Sequence, residues 1–274
     1  MSTEHVEPGS LEFQVEFIHP ATMLALENAD QVDDLLSEAF YGARAEQVTH
    51  IRTTLSKSTR DAAAELASSP EIRQAVEHHF APGQTIAAVG DSLTDDIRSW
   101  AYILGELLAI VFPDQPPVVL NFGKSGDTTV HVIEKMNSVL AADPDWIIFL
   151  VGSNDAKSFS FAPQTALVEP SQTARNVAIL DGAARRSHAN VVWMIPPLAD
   201  DDLITASPYW ADLKMLFTNE RLQATRDAIS RSITGLDLEP AFQRNPKTNT
   251  LLADGLHPSP IGQKLIAAEL LGNL

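Results

Sequence analysis

Cysteine is absent from the 274 residues. That excludes disulfide frameworks, thiolate zinc sites, iron–sulfur clusters and cysteine nucleophiles together, and it leaves the redox state of the compartment open. Basic residues are scarce: 19 Lys and Arg stand against 36 Asp and Glu, a net charge of −17. A surface that acidic repels phosphate backbones and anionic lipid, so neither nucleic acid nor a membrane surface is an expected partner. Long apolar runs are missing too. The stretches 146–151 and 101–112 are too short to span a bilayer, and Glu106 interrupts the second. The first residues, Met1-Ser-Thr-Glu-His-Val-Glu-Pro, show neither the basic nor the apolar part of a secretory signal. The expectation is a cytoplasmic protein without membrane insertion.

What is present is ordinary for a globular chain. Hydrophobic residues make up 45% and charged residues 20%, enough core for one large domain or one domain plus an appendage. Two textures divide it. From Ala21 to about Phe80 the pattern is polar and helical: Val32, Leu35, Leu36, Ala39 and Phe40 recur at helical spacing, as do Ile72, Ala75, Val76 and Phe80. Ahead of it Phe13, Val15 and Phe17 alternate with Glu12, Gln14 and Glu16, the pattern of a half-buried strand. Ala81-Pro-Gly-Gln reads as a turn, which divides a mostly helical extension, 1–80, from a second region, 81–274.

In the second region short apolar runs at 85–89, 118–120, 146–151 and 191–195, with a weaker one at 235–238, alternate with helical patterns near 95–112, 130–142, 171–188 and 217–233 and after Ser259. Strand and helix alternating at this spacing predict an α/β fold, a parallel sheet covered by helices on both faces. The segment 196–209 reads as a long loop. In such a sheet ligands sit outside the carboxyl ends of the strands, so the residues after each run carry the chemistry. These are Gly90-Asp91-Ser92-Leu93-Thr94, the stretch 121–128 around Gly123-Lys124-Ser125-Gly126, and Gly152-Ser153-Asn154-Asp155. With the common strand order 2-1-3-4-5, Ser92 lies between Gly126 and Asn154.

A serine at a strand-to-helix turn is a weak nucleophile without a base, and the base must be a histidine held in one tautomer by a carboxylate. Asp254-Gly255-Leu256-His257 supplies both, just ahead of a helix opened by Ser259 and Pro260. Ser92 as nucleophile, His257 as base and Asp254 as orienter form a complete set. The Ser92 and Gly126 backbone N–H groups and the Asn154 side-chain amide would serve as oxyanion donors.

These residues resemble the SGNH (GDSL-type) hydrolase family of esterases and lipases. The family's blocks read here Gly90-Asp-Ser92-Leu, Ser125-Gly126-Asp-Thr, Gly152-Ser-Asn154-Asp and Asp254-Gly-Leu-His257, in the family's order, over about residue 85 to the end. The resemblance implies a three-layer α/β/α, flavodoxin-like fold. It implies ester or thioester hydrolysis through an acyl-enzyme, without metal or organic cofactor, on a small acyl ester. Family substrates range over short-chain esters, lysophospholipids, acyl thioesters and acetylated sugars; the soluble, acidic composition favours short acyl chains. An acyltransferase or carbohydrate O-acetylesterase would use the same residues, and a non-catalytic acyl- or carbohydrate-binding protein could share the fold.

Other readings are local. Ser92 alone could be a helix cap, Asp91 is expected to bond its own loop, and Thr94 is the expected N-cap, with Asp95 and Asp96 in the first helical turn. His131 is a surface or pocket residue, and His78-His79 lacks the carboxylate partners of a metal site. Gly123-Lys124-Ser125 is no phosphate loop, because Val118 occupies the place of the required glycine. Ser92 does not sit in a G-x-S-x-G elbow, since Thr94 stands where the second glycine would be. The 200–202 aspartate run is expected as solvated charge, and Phe159, Phe161, Tyr209, Trp210 and Phe217 as core or as an apolar substrate pocket. The N-terminal helices pack on the sheet, form a lid, or offer a surface for a homo-oligomer; the resemblance says nothing of them.

Overall fold

The computed structural model describes residues 7–20 and 36–274. Its core is a five-stranded parallel sheet of β1 (Thr85–Gly90), β2 (Val118–Asn121), β3 (Trp146–Leu150), β5 (Asn190–Ile195) and β7 (Leu236–Asp237), in the order β2-β1-β3-β5-β7. This is the expected order, and with helices on both faces the expected three-layer α/β/α fold is observed. A two-stranded antiparallel pair, β4 (Ser158–Phe159) with β6 (Met215–Leu216), stands apart from it.

The side-chain period of a strand divides the core between the two faces. Ile86, Ala88, Trp146, Ile148 and Leu150 point to one face and pack in one cluster with α2 (Ala45–Ala67), α3 (Pro70–His79), α5 (Trp100–Val111) and α13 (Pro260–Gly272). Ala87, Val89, Ile147 and Phe149 point to the other and pack with α6 (Thr129–Ala141), α7 (Pro170–Ala184) and α10 (Asn219–Ser232). Burial on both faces is why β1 and β3 read as unbroken apolar runs. Gly90 pairs with Leu150, and a Cβ at Gly90 would lie 2.4 Å from the Leu150 carbonyl oxygen and 2.2 Å from Thr94 Oγ1. Only glycine lets β1 run this close to β3 and turn directly into α4 (Ser92–Asp95).

Three local expectations are corrected. Leu11–Phe17 is a helix, α1, and not a strand. Ser10 caps it, accepting from the Phe13 amide at 3.2 Å, and Phe13 and Phe17, four residues apart, share the face that packs on Leu252. Glu16 is fully buried, so the apparent alternation of apolar and solvated residues does not exist in three dimensions. The segment 196–209 holds α8 (Asp201–Ala206) and the start of α9 (Pro208–Leu213). Asp200 caps α8, accepting from the Asp202 and Leu203 amides at 3.1 and 3.0 Å, so the aspartate run marks a helix start. Thr94 caps nothing: Asp91 caps α4 and Ser99 precedes α5, while Thr94 Oγ1 accepts from Trp100 Nε1 at 3.2 Å. The helical repeat expected from Val32 falls partly outside the described residues; 36–41 is helical.

Candidate active site

Ser92 opens α4 at the carboxyl end of β1 and is nearly buried. Asp91 fixes the turn beneath it, accepting from the Leu93 amide at 3.0 Å, as expected of a loop-bonding residue. Burial outweighs that hydrogen bond and pushes the Asp91 carboxyl up to about 7.

The loop before α13 supplies the partners. His257 Nε2 lies 2.9 Å from Ser92 Oγ, and His257 Nδ1 lies 2.5 Å from Asp254 Oδ2. The other Asp254 oxygen accepts from the Leu256 and His257 amides at 2.9 and 3.0 Å, so one carboxylate both shapes its loop and orients the ring. Trp210 Nε1 donates to the Asp254 carbonyl at 2.7 Å and anchors the loop from α9. With the hydrogen on Nδ1 facing Asp254, Nε2 is left to accept from the serine hydroxyl. Burial disfavours the imidazolium, but the charge and hydrogen bond of Asp254 outweigh it and hold the His257 pKa above its usual value.

Two further loops converge. Gly126, at φ +88°, takes a left-handed conformation that glycine adopts without strain. Its loop is held to β1 and α4: Ser125 N donates to Asp95 Oδ2 at 2.7 Å, Lys124 N to the Gly90 carbonyl at 3.2 Å, and Asn121 Nδ2 to the Thr94 carbonyl at 2.7 Å. Asn154 follows β3, and its Oδ1 accepts from Lys157 Nζ at 3.4 Å. Burial lowers the pKa of that lysine. Asp155 ties the loop to α6 and α7 through Thr129 Oγ1 at 2.6 Å and Thr173 Oγ1 at 2.7 Å.

Ser92, Gly126, Asn154 and His257 all line one cavity of about 280 Å³. Tyr209, Trp210 and Phe217 line it as well, with Leu213, Met215 and Leu256. Phe159 and Phe161 do not; they stack on each other at 5.5 Å, and Phe161 is 84% exposed. His131 closes a capping box with Thr128 at the start of α6 and is half-exposed, outside the cavity lining. Among the described residues no group of three or more His, Asp or Glu is placed to hold a metal ion, and no helix is long and apolar enough to cross a membrane.

The sequence reading missed one wall altogether. Phe13, Phe17, Ile18 and His19, in and just after α1, line the cavity with Phe40. The Phe17 ring lies 4.4 Å from the His257 ring, Phe13 touches its edge at 5.8 Å, and Trp210 stacks at 5.9 Å. The segment is pinned by Glu16, whose Oε1 accepts from Arg98 Nε at 2.6 Å in the turn that follows α4. Burial and the neighbouring Asp96 push the Glu16 carboxyl well above the ordinary carboxylate range, against the pull of Arg98. The usable signal was the i, i+4 pair Phe13 and Phe17 behind a capping serine, but the alternation of charges concealed it.

A parallel sheet with helices on both faces and a cavity at its strand ends is a three-layer α/β/α architecture of the kind SGNH hydrolases share. The family model of the GDSL-like Lipase/Acylhydrolase family matches residues 88–265, and the chain belongs to that family, which makes it an esterase-type hydrolase. None of the curated proteins matches the chain. Among solved structures it is similar to LAE5, an alpha/beta hydrolase enzyme from the metagenome of Lake Arreo, Spain. That likeness has 21% identity and TM-score 0.56 over 70% of this chain and 95% of the other. The lipase/acylhydrolase from Enterococcus faecalis is similar at 22% identity and TM-score 0.55, over 69% of this chain and 94% of the other. Axe2, an acetylxylan esterase from Geobacillus stearothermophilus, is similar as a catalytic mutant at 20% identity and TM-score 0.54, over 70% of this chain and 94% of the other. At these identities the likeness is one of fold.

Proposed function

We propose that the protein is a serine carboxylic-ester hydrolase in which Ser92 is the nucleophile, His257 the general base and Asp254 its orienter. The observation that carries this reading is the hydrogen-bonded series from Ser92 Oγ through His257 to Asp254, 2.9 and 2.5 Å long, at the edge of a cavity. Ser92 Oγ attacks the acyl carbonyl and passes its proton to His257 Nε2. The oxyanion is received by the Ser92 and Gly126 N–H groups and by the Asn154 amide, whose oxygen is taken up by Lys157 and whose Nδ2 is left as donor. Collapse releases the alcohol, which takes the proton from His257. Water then attacks the acyl-enzyme with the same imidazole as base, returning the acid and free Ser92.

The acyl group is short. The cavity of about 280 Å³ is at the small end of ligand sites, which run roughly 300–1,000 Å³, and it is walled mostly by aromatic and aliphatic side chains. The acetylxylan esterase Axe2 agrees with a small acyl group, by likeness of fold only. Hydrolysis of a p-nitrophenyl ester ladder, acetate through palmitate, by wild type and Ser92→Ala tests the reading. Ser92-dependent turnover that peaks at the short end is expected; turnover unaffected by Ser92→Ala, or none on any ester, would refute it.

A further inference from the structure

The cavity contains a second imidazole that takes no part in the proposed chemistry. His19 lies just beyond α1, outside the residues matched by the family model, and lines the cavity with Ser92 and His257. Its Nδ1 is 2.9 Å from Asp95 Oδ1. A carboxylate oxygen only accepts, so Nδ1 carries the hydrogen. Asp95 is the last residue of α4, one helical turn from Ser92, and is nearly buried. Its other oxygen, Oδ2, accepts from Ser125 N at 2.7 Å, and Ser125 is the residue before Gly126. One carboxylate thus joins three parts of the site: the nucleophile's helix, the Gly126 loop and the N-terminal segment.

We infer that His19 is a positioning residue for the proposed oxyanion site, acting through Asp95. A carboxylate held from one side only can rotate about its Cβ–Cγ bond. With His19 on Oδ1, the plane of the group is fixed and Oδ2 is aimed at the Ser125 amide. The peptide that follows carries the Gly126 N–H, whose direction is set by how Ser125 is held. Oxyanion donors work only when aimed beforehand at the place where charge will develop, so a small rotation of that peptide weakens the transition state and leaves substrate binding almost unchanged. His19 is itself held by the two anchors of its segment, the Glu16–Arg98 pair and the packing of Phe13 and Phe17 on Leu252.

The inference rests on the serine-esterase reading, and two variants separate positioning from packing. His19→Asn keeps a nitrogen donor at the δ position and loses the ring; His19→Phe keeps the ring's volume and loses the donor. Both are assayed beside wild type and Ser92→Ala on the ester that wild type turns over best, with melting temperatures recorded. The expected result is His19→Asn within about threefold of wild-type kcat. His19→Phe should fall about tenfold or more in kcat with KM within about twofold, a fraction of the roughly 10²–10³ lost when an oxyanion donor is removed outright. The reverse order, with His19→Phe active and His19→Asn impaired, would make His19 a packing residue and overturn the inference. Equal losses in both, or no loss in either, would overturn it as well. Wild type without Ser92-dependent turnover would remove the esterase reading and the inference with it, an outcome distinct from the other three.

Discussion

The two walls that meet at His257 are built differently. On one side the loops after β1 and β2 are joined by hydrogen bonds that each use at least one backbone group: Lys124 N to the Gly90 carbonyl, Ser125 N to Asp95 Oδ2, Asn121 Nδ2 to the Thr94 carbonyl. On the other side α1 is held chiefly by side chains, the Glu16–Arg98 pair and the phenylalanines on Leu252 and His257, with one backbone hydrogen bond from Ile97 N to the Glu16 carbonyl at 3.3 Å. The first wall lies within the residues the family model matches, 88–265, and the second lies outside them. The residues of the proposed reaction stand at the strand ends, where a change of sheet register would move them apart. One wall of the cavity comes from a seven-residue helix that contributes no strand to the sheet.

The largest effects are expected from changes to the wall at the strand ends. His257→Ala should lower kcat by on the order of 10³–10⁶, as nucleophile, base and orienter act as a unit. Asn154→Ala should cost about 10²–10³ in kcat with KM nearly unchanged. Near wild-type turnover by either variant would show that the sheet edge does not carry the reaction.

Changes to the second wall should be smaller and of another kind. Phe17→Ala uncovers the imidazole and removes a buried ring, so a stability loss on the order of 3 kcal/mol and roughly a tenfold fall in kcat are expected. The pH profile sharpens this. The proposed mechanism needs neutral His257, and Asp254 holds its pKa above the usual 6.5, so kcat/KM in wild type should rise with pH through a limb above 6.5. Burial opposes that elevation. Removing Phe17 relieves the burial, and the limb should move to still higher pH. A limb that moves down or stays in place would show that Phe17 does not desolvate the base.

Glu16 gives the smallest effect. Its folded pKa lies above the ordinary 4.5, so its contribution to stability is complete below 4.5 and is lost as pH rises through the folded value. Glu16→Gln cannot titrate, so its melting temperature should decline less than that of wild type as pH rises above 4.5, by about 2–4 °C, with kcat within about twofold of wild type. An unchanged decline would place the titrating group elsewhere.

The sheet-edge wall was legible in sequence because its signals are local. The run at 85–89 is apolar on both faces, so β1 reads as a buried strand, and the small residues after it fall where a parallel sheet places ligands. Asp254 and His257 are three residues apart, close enough for one loop to hold both. The second wall was not legible, because what decides it lies far off in sequence. Glu16 meets Arg98 across 82 residues, and His19 meets Asp95 across 76. Alternating Phe, Val and Glu in 12–17 suit a strand equally well until a buried arginine makes the inward position right for Glu16. Thr94 was misread for a similar reason, since the tryptophan that claims its hydroxyl sits in the next helix.

The central claim, that Ser92 is a nucleophile activated by His257, is tested most directly by labelling with a fluorophosphonate and locating the adduct by peptide mass spectrometry. One adduct on Ser92 is expected in wild type, with labelling strongly slowed in His257→Ala. An adduct on another residue, or a folded protein that takes no label at all, would contradict it.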